Sequence, residues 1–255
     1  MLFTIDIGNS YVTVGGFYDK ELSFVASVVT NPRRTKEEYA IDFKEILGLY
    51  GCIGCMVDGA IISSVVPELT DTVKGALRLL FGIDAMVVGP GVKSGLNIMI
   101  DNPAQLGADI VACSVGALAK SEPPLIICDL GTATALSVID ADKRFLGVVI
   151  AAGIGTTLEG FTKNTALLPH VSIESPPSVI GKNTSASMQS GLVVGTAAMI
   201  DGLCDRIEEE IGSKATVIAT GHMTESVIPH CRRDITVREH LLLEGLRCIF
   251  ERNRR

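Results

Sequence analysis

The chain has 255 residues, 47% of them apolar and 20% charged, and carries a net charge of −7. That balance excludes intrinsic disorder and argues against nucleic acid or an anionic membrane surface as a partner. No basic n-region or cleavage site follows Met1, no uncharged run is of spanning length, and the seven cysteines are irregularly spaced, so the expectation is a cytoplasmic protein with reduced thiols.

From Leu2 to Phe17 two apolar runs meet at Asp6-Ile-Gly-Asn-Ser10, the pattern of a hairpin, and a charged turn at Asp19-Lys20-Glu21 leads into a third apolar segment. Thr35 and Glu38 have the spacing of a capping box, which predicts a helix to about Tyr50, stopped by Gly51. Cys52-Ile53-Gly54-Cys55 lacks both the second pair a zinc site needs and the βαβ setting of a redox motif, and reads as two incidental thiols beside a loop. Ala60 to Val66 is a buried strand, followed by Pro67 and a helix near 69–81, and Asp84 to Val88 is another strand. Asn102-Pro103 pairs an N-cap with a proline at the first helical position and predicts a helix through about Lys120. Ser121-Glu-Pro-Pro124 is the linker candidate. Beyond it lie long helices near 183–211 and 237–252, flanking a strand from Ala215 to Ala219, and a basic cluster of Arg252, Arg254 and Arg255 that reads as a solvated tail.

The chain repeats itself. Leu125-Ile-Ile-Cys-Asp129-Leu-Gly-Thr132 restates the strand and turn at Asp6, again with a second apolar run, a charged turn (Asp140 to Lys143) and a third apolar segment behind it. Three antiparallel strands followed by alternating helices and strands, done twice, predict an α/β fold of two duplicated ribonuclease-H-like, actin-like ATPase domains, 1–120 and 121–255, with an interdomain cleft.

A glycine two residues after a strand-end aspartate lets the backbone turn closely and frees amides for phosphate oxygens, with Asn9, Ser10, Thr13, Thr132 and Thr134 as further donors. The aspartate offers a hard oxygen to a cation that travels with phosphates. One such turn is common in hairpins; a matched pair is much more specific. The glycine-rich stretch Val148 to Gly160 and Gly181-Lys-Asn-Thr184 read equally as phosphate loops or ordinary ones, and Thr220-Gly221 follows a strand where a nucleotide fits. No Gly-x-x-x-x-Gly-Lys-Ser/Thr run is present, which excludes a P-loop enzyme. Asp109, in Gly107-Ala108-Asp109-Ile110, is a third carboxylate with small residues beside it. Spacing alone reads it as a solvated helix residue, whereas phosphoryl transfer to an alcohol would use it as a base.

Taken with Ile62-Ser-Ser-Val-Val-Pro67, Gly89-Pro-Gly-x-Lys-x-Gly95, Asp101-Asn-Pro-x-x-Leu-Gly-Ala-Asp109, Leu168-Pro169, Ile180-Gly-Lys-Asn-Thr184 and Glu244-Gly-Leu246, these segments resemble the type III pantothenate kinases nearly end to end. The resemblance implies ATP-dependent phosphorylation of pantothenate, the first step of coenzyme A synthesis, by a homodimer whose partner subunit helps close the substrate pocket. It implies that Asp6, Ile7, Gly8, Asn9, Ser10, Tyr11, Val12 and Thr13 cradle the ATP phosphates, with Asp6 near Mg²⁺, and that Thr132 contacts ATP. It implies Asp109 as the base, Asp129 as ligand of a monovalent cation (K⁺ or NH₄⁺), and Gly107, Ala108, Asp109, residue 110 and Thr184 around the substrate.

The family pattern reads Gly-Ala-Asp-Arg where this chain has Ile110, and the arginine resembles a clamp for the pantothenate carboxylate. Losing one charge-assisted contact costs about 1.5–3 kcal/mol. Smaller departures are Ala152, in place of a proline, and His222, in place of a glycine. Three readings follow: a pantothenate kinase with a weaker carboxylate contact or one supplied by Lys163 or Lys182, a kinase for a neutral alcohol such as pantetheine, and a non-catalytic nucleotide-binding paralogue.

Overall fold

The computed structural model describes residues 1–254. Strands β1 (Leu2–Ile7), β2 (Tyr11–Tyr18) and β3 (Glu21–Val29) form an antiparallel meander, followed by α1 (Lys36–Leu49), β4 (Gly59–Ser64), α2 (Pro67–Phe81) and β5 (Met86–Val87). The two-residue strand β6 (Asn97–Ile98) and a single 3₁₀ turn at Pro103–Gln105 precede α3 (Ala108–Leu118). A second meander, β7 (Leu125–Leu130), β8 (Ala133–Ile139) and β9 (Arg144–Ala152), is followed by α4 (Ile154–Asn164), α5 (Thr184–Ile211), β10 (Thr216–Thr220), the short α6 (Thr224–Val227), β11 (Thr236–Val237) and α7 (Leu241–Asn253).

The two sheets are built alike. The first runs β3-β2-β1-β4-β5, and the second runs β9-β8-β7-β10-β11, with β6 added beside β9. In each, the central strand pairs antiparallel with the next one and parallel with the strand after the first crossover, so Asp6 lies in register with Ser63 and Asp129 with Thr220. Even an irregularity is shared: the register slips at Gly16/Phe17 in the first sheet and at Val138/Ile139 in the second. A duplication explains a bulge at the corresponding place in both meanders; chance similarity of two strands does not.

Each unit has its own core. In the first, Phe3, Ile5 and Ile7 of β1 point to one face, with Val12, Val14 and Ile62 from the neighbouring strands, and meet Tyr39 and Phe43 of α1 and Leu69, Val73 and Leu77 of α2. Phe3 and Phe43 pack edge-on with centroids 5.8 Å apart, a favoured aromatic geometry. The Thr35–Glu38 capping box at the start of α1 is present as the spacing predicts. In the second unit Ile126, Cys128 and Leu130 of β7 pack under Leu158 of α4 and Leu192, Ile200 and Cys204 of α5.

The compact units do not coincide with the sequence halves 1–120 and 121–255. Residues 97–100 pack with the second unit, and the chain from Leu241 returns to the first. There α7 covers the second face of the first sheet together with α3. A side chain at Gly245 would lie 1.8 Å from the Ala112 carbonyl oxygen, and one at Gly116 would lie 2.4 Å from that of Leu241. Only glycines admit this approach of two backbones. Of the C-terminal arginines, Arg252 is accordingly tied down, while Arg254 is exposed as a solvated tail would be. Arg252 donates to the Ser94 carbonyl and Asn253 accepts from Lys93 N–H at 3.0 Å; Arg255 lies outside the described residues.

Other departures are local. The helix expected over 103–120 is broken at Leu106, which is extended, and α3 starts only at Ala108. The final helix begins at Leu241 rather than 237, because 236–237 pair with β10. The glycine-rich stretch 148–160 is the end of β9 and the first turns of α4. All seven cysteines are free thiols. Among the described residues no helix is long and apolar enough to cross a membrane, and no group of three His, Cys, Asp or Glu is placed to hold a metal.

Candidate functional site

Asp6 stands near the end of β1, in register with Thr13 on one side and Ser63 on the other. All three project to the face that α7 and α3 cover, since Leu243 of α7 approaches Gly15 and Thr4 on that same face. The turn beyond Asp6 is closed by Gly8 N–H donating to the Tyr11 carbonyl at 3.0 Å. Within the predicted cradle, Ile7 and Val12 are fully buried core residues and have only backbone atoms to offer. Asn9, Ser10 and Tyr11 are exposed, and Thr13 shares a 3.0 Å hydrogen bond with Ser27. Thr30, which no sequence signal singled out, bonds the turn from the end of β3: its hydroxyl donates to the Gly8 carbonyl at 2.7 Å and its N–H to that of Ser10 at 3.0 Å.

The break at Leu106 decides the setting of Asp109. Instead of lying on a helix flank, it occupies the first turn of α3, behind an N-cap glycine that provides no side-chain cap. Its carboxylate folds back over the helix start and accepts the Ile110 N–H at 2.8 Å. Burial pushes the carboxyl above the usual aspartate range, against the opposing pull of the Ile110 N–H and its own N–H. The result is a half-buried carboxylate, more basic than a solvated one, with Gly107 and Ala108 leaving room beside it. Ile110 is half-buried and places an aliphatic side chain directly after the carboxylate.

The second unit repeats the turn in a tighter form. Leu130 pairs with Thr134, so three residues close the hairpin, where four do so between Ile7 and Val12. Two glycines hold it. Gly221, at φ +97°, passes so close that a side chain there would meet the Leu130 carbonyl at 2.6 Å and Asp129 Oδ1 at 2.8 Å; Gly153 leaves no more room beside the Gly131 and Thr132 carbonyls, each 2.4 Å from its would-be Cβ. Thr132 itself is exposed, and its carbonyl accepts the Gly153 N–H at 3.1 Å and the Thr156 hydroxyl at 2.7 Å. Thr156 and Gly153 were legible only as part of a glycine-rich run. Thr134, expected as a donor, is buried.

Thr184 is the first residue of α5, behind Asn183, whose side chain accepts the Ala186 N–H. It lines a cavity of about 310 Å³ between α4 and α5, with Thr157, Phe161, Leu168, Met188 and Leu192 among its other walls. Lys163, one of the two lysines considered as a carboxylate contact, is paired with Glu159 at 2.8 Å on the exposed side of α4, and Lys182 is exposed.

Two sheets of the same strand order, each headed by an Asp-x-Gly turn, define the actin-like ATPase class of α/β protein. Solved structures share the fold: the Acidaminococcus fermentans (R)-2-hydroxyglutaryl-CoA dehydratase component A superposes with TM-score 0.54 at 12% identity, covering 96% of this chain and 95% of that one. The inorganic polyphosphate/ATP-glucomannokinase of Arthrobacter sp. strain KM gives 0.51 at 14% identity over 99% of both chains. The family model for type III pantothenate kinase matches residues 2–206. Proteins named type III pantothenate kinase from Anaeromyxobacter dehalogenans strain 2CP-C and Roseiflexus sp. strain RS-1 are each 39% identical over 254 residues, with 100% of both chains covered. This chain belongs to the type III pantothenate kinase family.

Proposed function

We propose that the protein transfers the γ-phosphoryl group of ATP to the primary hydroxyl of pantothenate, with Asp109 as the base. The observation that supports this beyond family membership is the Asp109 carboxylate, half-buried at the start of α3, raised by burial and oriented by the Ile110 N–H. As the acceptor oxygen bonds to the γ-phosphorus and the bond to the β–γ bridging oxygen breaks, Asp109 takes the hydroxyl proton and ADP leaves with the bridging oxygen.

The residues present fit the cations such a reaction uses. Mg²⁺ is held through one or two carboxylates plus phosphate oxygens rather than by a protein cage, and Asp6, flanked by Thr13 and Ser63, is of that kind. Asp129, whose carboxylate lies beside the Leu130 carbonyl where Gly221 closes against the turn, would hold a monovalent cation such as K⁺. Bound cations supply charge neutralisation at the phosphates. Residues 6 to 13 and Thr132 serve the nucleotide; Gly107, Ala108, Ile110 and Thr184 serve the acceptor, and the mostly apolar cavity beside Thr184 suits an aliphatic one. A homodimer in the cytoplasm completes this reading.

Ile110 favours a second acceptor, because an uncharged side chain beside Asp109 does not select for a carboxylate. The test measures phosphorylation of pantothenate and pantetheine side by side, in Mg²⁺ and K⁺, for wild type and Ile110→Arg. Turnover of pantothenate by wild type, with a lower KM in Ile110→Arg, supports the first reading. A strong preference for pantetheine replaces it with the second, and no turnover of either leaves a nucleotide-binding paralogue.

A further inference from the structure

In each unit a threonine hydroxyl from outside the Asp-x-Gly turn is bonded to a carbonyl of that turn. Thr30 Oγ1 donates to the Gly8 carbonyl and Thr156 Oγ1 to the Thr132 carbonyl, both at 2.7 Å. A backbone bond accompanies each, from the first residue beyond the third strand: Thr30 N–H to the Ser10 carbonyl and Gly153 N–H to the Thr132 carbonyl. The backbone bonds come from corresponding positions and follow from the duplication. The hydroxyls do not, for Thr30 directly follows β3 while Thr156 lies in the first turn of α4. Two unrelated positions thus each anchor one carbonyl of a turn, that of the glycine in the first unit and that of the residue after it in the second.

We propose that Thr30 and Thr156 are positioning residues that hold the two turns in the orientation that receives the nucleotide phosphates, an inference that rests on the kinase reading above. The peptide group is planar and trans, so its C=O and N–H point in opposite directions. Anchoring the Gly8 carbonyl on Thr30 therefore aims the Asn9 N–H away from β3, out of the turn. Without the hydroxyl the Gly8–Asn9 peptide can flip, a rotation taken up in ψ of Gly8 and φ of Asn9, two residue types that tolerate it, and a flipped peptide presents a carbonyl oxygen to an anion. In the second unit the bond from Thr156 fixes the peptide after Thr132, and with it the direction of the exposed Thr132 side chain.

Valine has the shape of threonine without the hydroxyl, and in Thr30→Val the backbone bond to Ser10 remains. With pantothenate saturating, Thr30→Val and Thr156→Val are each expected to raise the KM for ATP roughly 3- to 10-fold, the worth of one hydrogen bond. Their kcat should stay within about twofold, the signature of lost ground-state binding, and the serine variants should restore the wild-type KM. A KM for ATP unchanged in both valine variants overturns the proposal. So does a loss that falls on kcat together with thermal stability and is not rescued by serine. If wild type phosphorylates no pantothenate, the functional reading fails by itself, and calorimetric titration with Mg·ATP makes the same comparison. Weaker binding in the valine variants then supports the clamp; equal binding, or none by wild type, overturns it.

Discussion

The Asp109 carboxylate fills the space a side chain on residue 107 would need: a Cβ there would stand 2.3 Å from Asp109 Oδ1. The N-cap glycine of α3 and the carboxylate in its first turn are therefore one design. Gly107 permits the carboxylate to fold back onto the Ile110 N–H, and that fold-back sets both its direction and its burial.

Gly107→Ala should separate activity from stability. The atom in the way is the end of a side chain, so the carboxylate rotates aside while the backbone stays. Displacing a base by about an ångström costs roughly 100-fold in rate, so kcat should fall by about that factor while the melting temperature changes by little. Steady-state kinetics and a thermal melt on the same preparation check both halves.

Asp109→Asn should lower kcat by roughly 10²–10⁴-fold, the usual worth of a general base. In wild type the carboxyl is raised above its ordinary 3.8 by burial, so the acid limb of the kcat/KM profile should lie above that value. The stability effect runs the other way. A carboxyl raised on folding contributes stability below its unfolded value, and the contribution is lost as pH rises through the folded one. Asp109→Asn should therefore melt higher than wild type at pH 7, and the gain should vanish as pH falls below the ordinary value.

Glu208 is a buried carboxylate with a structural task. Burial pushes it up, but Arg233, Lys214 at 2.7 Å and the Ala215 N–H outweigh that and bring it from 4.5 to about 2. A carboxyl depressed on folding contributes stability above its unfolded value, here worth about 3 kcal/mol at neutral pH. Glu208→Gln should be destabilised by about that amount at pH 7 in urea unfolding. The difference should shrink between pH 4.5 and 2, the window in which the wild-type carboxyl takes up its proton.

Gly245→Ala tests the seam of α3 and α7. Its methyl would meet the Ala112 carbonyl oxygen at 1.8 Å, and backbone cannot rotate away as a side chain can. Overpacking of this kind costs about 3 kcal/mol, a fall of roughly 10 °C in melting temperature for a chain of this size. A variant that melts within 2 °C of wild type would show that the two helices slide apart without cost (about 1 kcal/mol or less).

Much of the local structure was readable in advance. Thr35 and Glu38 announced α1 because a capping box is a contact of neighbours, and the long helix expected near 183–211 is α5 (Thr184–Ile211). The repeat of Asp6-Ile-Gly in Asp129-Leu-Gly predicted two meanders, and strand order and even the bulge agree. The break at Leu106 was not readable: Asn102-Pro103 is a sound helix start, and nothing local shows that the helix stops after one turn and restarts behind Gly107.

By itself the sequence determined the pieces whose causes lie within a few residues: caps, turns, alternating strands, the duplicated Asp-x-Gly signature and the family they resemble. Tertiary structure alone decided what depends on partners far along the chain. Leu241 onward returns to the first unit because Gly245 and Ala112, remote in sequence, pack backbone to backbone. Thr30 and Thr156 gain their roles because strand pairing carries them to turns 22 and 24 positions away. Burial is likewise a property of the assembled fold, and Asp109 becomes more than a surface carboxylate only when α3 is set on its sheet with the carboxylate folded inward.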